Sequence, residues 1–356
     1  MISDPKFFAR EYIDAHKFNA PAVLAEQALH CLELVSELVS TGLSFQFKGG
    51  NSLLIILQDP QRFSIDVDIA THEPRERIEE CLNRLVKDHG VFTKWDKRQH
   101  KTKPWLPIAS YYLFYKSRYE ASEEPNIMLD VQLRRSPYKT EQKPVRCLEL
   151  YQTDVSCELP LPASIIGDKL LTLGPTTLGI PVGKGKETQR LKHVFDIARL
   201  LQSGPDLIDI RESFRACITH EEEIQKRCIP EADILRDTLD FCASTARYPE
   251  QPAVSPDMMP IVIENIVGIE PFRNHLFSKQ YSWQQLGYDL SRVALCIAAV
   301  CTDAVSSSHF ADALAGRARP DQKFILGTGI MGTDSKARYC WEMVNGWLSL
   351  RQRERV

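Results

Sequence analysis

Between Phe45 and Ala70 the chain reads FQFKGGNSLLIILQDPQRFSIDVDIA, and this stretch constrains the fold more than any other. A strand-like run over Leu43–Phe47 ends at Gly49-Gly50. The apolar segment Leu53–Leu57 that follows is long enough for one to about two helical turns. The stretch then closes on Ser64-Ile65-Asp66-Val67-Asp68. Side chains two apart on a strand share a face. Phe63, Ile65, Val67 and Ile69 are therefore expected to face a core, and Ser64, Asp66 and Asp68 the other side. Two carboxylates on one face repel unless a cation lies between them. A hard divalent ion such as Mg²⁺ suits that pair, because it takes oxygen ligands and is usually held by one or two carboxylates plus substrate phosphates. A bare D-x-D also describes a strand edge with solvated charges. The glycine turn just before it favours the first reading. Glycines at a strand-to-helix junction let backbone N–H groups approach a ligand, a helix N-terminus favours an anion, and the Ser52 hydroxyl adds a donor.

A chain of 356 residues suggests two domains, or one with an appended lobe. Its formal charge of −3 exerts no global pull on nucleic acid or membrane, so any such contact has to come from a local patch. The 10 cysteines are scattered without a C-x-x-C pair and read as buried, reduced thiols of a cytosolic protein rather than a closed zinc site. The N-terminal MISDPKFFAREYID has no signal-peptide core. No apolar run reaches the roughly 18 residues of a membrane span; Val293–Val300 comes nearest.

Helical spacing of Leu24, Ala28, Cys31, Leu32 and Val35 predicts a helix over Pro21–Ser40. Pro74 opens a second helix running to about His89, stopped by Gly90. FTKWDKRQHKTK, from Phe92 to Lys103, reads as a basic hairpin that contacts nucleic acid, or as a solvated loop between strands. Strands are expected over Ser110–Lys116, Ile127–Leu133, Val145–Leu150 and Val155–Leu159. The second of these places Asp130 in an apolar run, where an unpaired carboxylate costs several kcal/mol. Either a metal or a salt bridge to Arg134 or Arg135 would resolve that. A helix follows from Pro162 to Gly174, with Lys169 beside its apolar stripe, where a lysine can also snorkel to solvent. Thr176–Thr188 lacks hydrophobic period and reads as a mobile loop, able to order over substrate as a lid; its G-K spacing does not make a P-loop. A helix over Gln189–Gln202 carries Asp196, whose plain reading is a surface pair with Lys192 or Arg199. Beyond Gly204 strands fade, and helices are expected at Leu207–Cys217, Thr219–Cys228, Ala232–Ala246, Pro260–Val267, Trp283–Ser306 and Ala337–Arg351. Arg273, His275 and Lys279 fall in a loop and are assigned nothing.

KGGNSL followed by RFSIDVD resembles the signature of the AbiEii/AbiGii toxin nucleotidyltransferases, distant relatives of DNA polymerase beta. Their pattern is a strand, K-G-G-T-(S/A)-L, a short helix, then R-F-S-x-D-x-D. Asn51 stands where Thr is usual, and the connecting loop carries Asp59-Pro60. The resemblance extends from Leu43 to Leu201. IMLDVQL is similar to the strand that gives the family a third carboxylate, here Asp130. DKLLTL is similar to the helix that supplies a lysine, here Lys169. QRLKHVFDIARLL is similar to R-x-K-D-h-x-D-L, with Arg190, Lys192 and Asp196 matching and His193 where an Asp is common.

The resemblance implies an α+β fold: a nucleotidyltransferase-like mixed sheet flanked by helices in a domain of residues 1–203, then a mainly helical C-terminal domain, 204–356. It implies a metal-dependent transferase moving NMP from an NTP to an acceptor, such as RNA or a tRNA end, and a cytoplasmic toxin with a cognate antitoxin. The implied catalytic set is Asp66, Asp68, Asp130, Lys169 and Asp196. The metal set is Asp66, Asp68 and Asp130 with Mg²⁺ or Mn²⁺. The nucleotide set is Lys48, Gly49, Gly50, Ser52, Ser64 and Lys169. Asp196 is carried over as the acidic partner of Lys169. Transfer to a protein or small molecule, a non-catalytic nucleotide- or partner-binding module, and a helical scaffold with a vestigial site are the other readings.

Overall fold

Alternating apolar positions in the first half pair into one seven-stranded sheet, and helical periods in the second half pack into a bundle. The computed structural model describes residues 1–88, 90–98, 106–120, 124–247, 259–320 and 334–354. The chain divides into two compact units. One comprises Met1–Leu161 with Arg273–Gln280; the other comprises Pro162–Phe272 with Tyr281–Val356.

In chain order the first unit holds a 3-10 turn Pro5–Phe8, α1 Arg10–His16, α2 Ala22–Ser40, β1 Gln46–Lys48, α3 Gly49–Ile56, β2 Asp66–Ala70, α4 Arg75–Asp88, β3 Phe92–Arg98, β4 Ile108–Tyr115, β5 Asn126–Gln132, β6 Thr140–Cys147 and β7 Tyr151–Pro160. Strand order is β3-β4-β5-β2-β1-β7-β6. The sheet is mixed: β2 runs parallel to β5 and β1 to β7, and the other pairs are antiparallel. Val67 and Ile69 of β2 and Ile127, Leu129 and Val131 of β5 are buried, while the alternate residues are half-buried apart from Ala70, buried at the end of β2. The period-two reading therefore holds, except that β2 begins at Asp66. Phe63 is buried ahead of the strand and Ile65 only half-buried. The expected first strand is shorter, and the helix starts at Gly49 itself rather than after Ser52.

Helix α2 is buried on nearly every side from Ala25 to Leu38, and carries Glu26, His30, Glu33 and Glu37 inward. A buried carboxylate needs hydrogen-bond donors. Glu33 accepts from Tyr151 Oη at 2.7 Å and Glu26 from Ser117 Oγ at 2.5 Å. The basic stretch from Phe92 is an edge strand as far as Arg98, and its continuation through Lys103 lies outside the described residues. On its helix-facing side Trp95 Nε1 donates to Asn83 Oδ1 at 3.0 Å and Lys97 pairs with Glu79. Trp95 therefore serves the packing of α4.

Residues 273–280 return to the sheet from late in the chain, which sequence reasoning did not anticipate. Phe63 N–H donates to His275 O at 2.8 Å and Phe277 N–H to Gln61 O at 2.9 Å. The Phe277 ring stacks on Phe18 at 4.1 Å and meets Phe63 at 4.6 Å. This bracket fixes the backbone just before β2.

The second unit holds α5 Pro162–Leu171, α6 Glu187–Leu200, a 3-10 turn Leu201–Ser203, α7 Leu207–Gln225, α8 Glu231–Arg247, α9 Met259–Arg273, α10 Trp283–Cys301, α11 Ser307–Leu314 and α12 Ser335–Glu354. Buried from Leu286 to Val300 and touching α6, α7, α8, α11 and α12, helix α10 forms the axis of the bundle. Helix α7 runs unbroken through Thr219, where two helices were expected, because nothing at Ile218-Thr219 stops the helical ladder. The expected boundary at 203/204 lies inside this unit. The 176–188 segment, read as a mobile loop, makes hydrogen bonds to its neighbours. Ile180 N–H donates to Thr172 O, the buried Arg190 guanidinium donates to Ile180 O at 3.0 Å, and Gly183 N–H donates to Glu264 at 2.6 Å.

Candidate active site

The register of the sheet builds a polar row. Lys48 of β1 stands opposite Asp68 of β2, Asp68 beside Asp130 of β5, Asp130 opposite Ser110 of β4, and Ser110 opposite Arg98 of β3. Residues in register on neighbouring strands, about 4.8 Å apart, point to the same face. The row therefore runs cation, acid, acid, hydroxyl, cation on one side of the sheet. Asp66 lies two residues along β2 on the same face.

Lys48, Asp68, Ser110, Asp130 and Gln132 line a cavity of about 230 Å³. Lys48 Nζ donates to Gln132 Oε1 at 3.0 Å and to Ser136 Oγ at 3.1 Å. Asp130 accepts from the Ser110 hydroxyl. Arg135 pairs instead with Glu158, whose carboxyl stays below its usual range, burial notwithstanding, because Arg135 and Thr140 donate to it. Asp130 is thus oriented by a neutral donor on the adjacent strand, not by Arg135.

Gly49 adopts φ +75°, and a Cβ there would fall 1.9 Å from Asp68 Oδ2. The carboxylate occupies the space that only glycine leaves open. A Cβ at Gly50 would lie 2.7 Å from the Arg62 guanidinium and 2.8 Å from Ser64 Oγ. Arg62, buried, also donates to Phe63 O at 3.1 Å. Asn51, where the signature has Thr, is buried and donates to Ser64 O at 3.0 Å, tying the first turn of α3 to the lead-in of β2. The Ser52 hydroxyl donates to Gly49 O at 2.8 Å, within its own helical turn. Cys31 beneath the sheet registers the field of this region: burial first, then the charges of Asp66 and Asp68, push its thiol well up.

No group of three or more His, Cys, Asp or Glu side chains stands close enough to hold an ion among the described residues. Asp68 and Asp130 share the cavity; Asp66 is not part of its lining. The donors still fit a hard divalent ion by chemistry and placement. They are carboxylate oxygens on one face of neighbouring strands, with Asp68 fitted against the Gly49 turn.

In the second unit, Lys169 and Asp196 form an ion pair of 3.0 Å, with side chains only 7% and 2% exposed. His193 Nδ1 lies 3.4 Å from Lys169 Nζ. Arg199, the plainer partner for Asp196, pairs with Asp289 at 2.8 Å. Sequence reasoning assigned no role to Arg62 or Ser110, and took Arg98 only as part of the basic run from Phe92. Arg62 stood in the quoted R-F-S run, whereas the places of Ser110 and Arg98 beside Asp130 come from cross-strand register, which carries no local signal.

Residues 34–261 match the family model described as nucleotidyl transferase AbiEii toxin, type IV toxin–antitoxin system, which fixes the class of protein as a nucleotidyltransferase. The chain belongs to the AbiEii family of nucleotidyltransferase toxins. Among solved structures it is similar to MenT4, a nucleotidyltransferase toxin from Mycobacterium tuberculosis H37Rv, at 15% identity and a TM-score of 0.46, over 87% of this chain and 99% of that one. It is also similar to an antigenic nucleotidyltransferase-like protein from Paracoccidioides brasiliensis, at 15% identity and a TM-score of 0.36, over 59% of this chain and 97% of that one. No curated protein matches the chain. No described helix is long and apolar enough to cross a membrane.

Proposed function

We propose that this toxin transfers NMP from an NTP to an RNA acceptor in the cytoplasm, in a reaction dependent on Mg²⁺ or Mn²⁺. The observation that carries the reading is the register of Asp68 with Asp130, on adjacent parallel strands beside the Gly49 turn. An acceptor oxygen attacks the α-phosphorus, the bond from that phosphorus to the bridging oxygen of the β-phosphate breaks, pyrophosphate leaves, and the acceptor proton passes to solvent. A divalent ion held by Asp68 and Asp130, with Asp66 two residues along β2 as the further carboxylate the family pattern supplies, would neutralise phosphate charge as it develops. The residues do the positioning on which phosphoryl-type transfer depends. The turn at Gly49 and Gly50, opening α3, receives phosphate at a helix N-terminus. Lys48 and Ser64 flank it, and Ser52 braces it. The resemblance to the family assigns Lys169 to charge compensation on the phosphates, and the buried ion pair with Asp196 would orient it. On this assignment the nucleotidyltransferase domain runs through residue 203 and 204–356 form the helical domain. Free cysteines, buried except for Cys228 and Cys301, support the compartment. The family implies an antitoxin as partner.

The test is incubation with each α-labelled NTP, total cellular RNA and protein, and Mg²⁺ or Mn²⁺. Label on RNA, lost in Asp68→Ala and Asp130→Ala, is expected. Label on protein alone, or on nothing, overturns the acceptor.

A further inference from the structure

The face that carries Asp68 and Asp130 continues onto β4 and β3. Ser110, Tyr112 and Phe114 alternate along β4, and register places Met128 and Asn126 of β5 beside the two rings. Tyr112, Phe114, Met128 and Asn126 are all half-buried rather than enclosed. The opposite face carries Tyr111 and Leu113, buried, with Tyr111 Oη donating to Glu79 of α4 at 3.2 Å. The helix packing on these strands therefore takes the other side. From β3, Lys94, Asp96 and Arg98 stand in register with Phe114, Tyr112 and Ser110. Arg98 Nη1 reaches Met128 Sδ at 3.0 Å, and Lys94 Nζ lies 4.5 Å above the Phe114 ring centroid. Lys94 also pairs with Glu124 at 2.7 Å, with both side chains well exposed, so an incoming phosphate can replace that carboxylate.

Two rings two residues apart on an open sheet face stand roughly 7 Å from one another, far enough for each to take its own base. Stacking of unpaired bases on sheet aromatics, with cations at the phosphates, is the physical basis of single-strand recognition. We propose that the β3–β4–β5 face beside Asp130 binds a single-stranded end of the acceptor RNA. Its bases stack on Phe114 and Tyr112 and its phosphates meet Arg98 and Lys94, so that the strand end is led along β4 to Asp130 and Asp68. The paired rings and continuity with the carboxylate row favour this occupant; Asp96 on the same face confines the cationic contacts of Arg98 and Lys94 to the two ends of the strip. The assignment rests on the RNA-acceptor reading above and deepens it.

The experiment uses the full chain and α-labelled NTP, comparing wild type with Tyr112→Leu, Phe114→Leu, Tyr112→Trp and Arg98→Gln. Anisotropy of a labelled single-stranded RNA is measured alongside at two salt concentrations. Each leucine variant is expected to raise the KM for RNA and weaken RNA binding roughly tenfold, with the KM for NTP unchanged. Tyr112→Trp, which keeps a stacking ring, is expected to keep both near wild type. Arg98→Gln is expected to reduce the salt dependence of binding. If wild type labels RNA and both leucine variants keep its KM for RNA, the platform is wrong while the transfer reading stands. If wild type labels only protein, the acceptor reading fails, and the platform with it.

Discussion

At the scale of single residues, two contacts make sharp predictions. Gly49 has a positive φ and its missing Cβ is where Asp68 Oδ2 sits. Gly49→Ala therefore adds about 1–3 kcal/mol of backbone strain and displaces the carboxylate. We expect transfer to be lost with a lowered melting temperature, measured by labelled-NTP assay and thermal melt; a variant with wild-type activity would separate Asp68 from the turn. Lys169 and Asp196 are both buried, so Lys169→Met leaves an unpaired carboxylate in the interior and is expected to destabilise by about 3–5 kcal/mol in urea unfolding. Lys169→Met with Asp196→Asn should recover part of that loss without recovering transfer. A single variant as stable as the double would show that the ion pair contributes nothing.

The pair Asp66 and Asp68 was legible from the sequence because alternation is a local property. So was the glycine turn, because Gly49 needs a conformation other residues avoid. What Ser52 does with its hydroxyl was not legible: it depends on whether the helix starts before or after it, and the helix starts at Gly49. Arg62 escaped for a related reason. Its place against Gly50 follows from the bracket of 273–280 on the backbone at 61–63, which is distant in sequence.

At the scale of elements, α2 shows how a helix can be read correctly in extent and wrongly in character. Its apolar stripe predicted one buried face, yet burial extends almost all round it, and Glu26, His30, Glu33 and Ser36 each have a hydrogen-bond partner there. His30 is the clearest consequence. Burial holds its pKa down at about 4, with the ring stacked on Tyr115 at 3.8 Å and Nδ1 bonded to Glu26 O. The folded imidazole stays neutral while the unfolded one takes up a proton below about 6.5. Stability from this group is therefore full above about pH 6.5 and is lost as pH falls toward 4, by about 3 kcal/mol in all. Urea unfolding at pH 7 and pH 4.5 should show most of this loss in wild type, about 2 kcal/mol, and a loss smaller by that amount in His30→Gln. Equal losses in the two proteins would place the acid sensitivity elsewhere. The basic run from Phe92 was open between a hairpin and a solvated loop. As far as it is described it is a strand paired antiparallel with β4, at the edge of the sheet, with Phe92 and Trp95 packing inward.

At the scale of the whole molecule, the first unit is discontinuous, and cutting the chain exposes this. A protein ending at Leu161 lacks residues 273–280, so Phe18 and Phe63 lose the Phe277 ring, and the N–H of Phe63 loses its acceptor. We expect that protein to melt lower than the full chain and to bind an apolar dye, whereas a cooperative melt at the full-chain temperature would show that the bracket is dispensable. By itself the sequence determined the strand that bears Asp66 and Asp68, the glycine turn before it, the strand that bears Asp130, and the change from strands to helices along the chain. Each of these follows from side-chain period or backbone preference over a few residues. Only the tertiary structure decided that Asp68, Asp130, Ser110 and Arg98 stand in one row, that Lys169 faces Asp196, and that residues 273–280 close the sheet unit. Those juxtapositions depend on strand order, register and long-range packing, which no local pattern encodes.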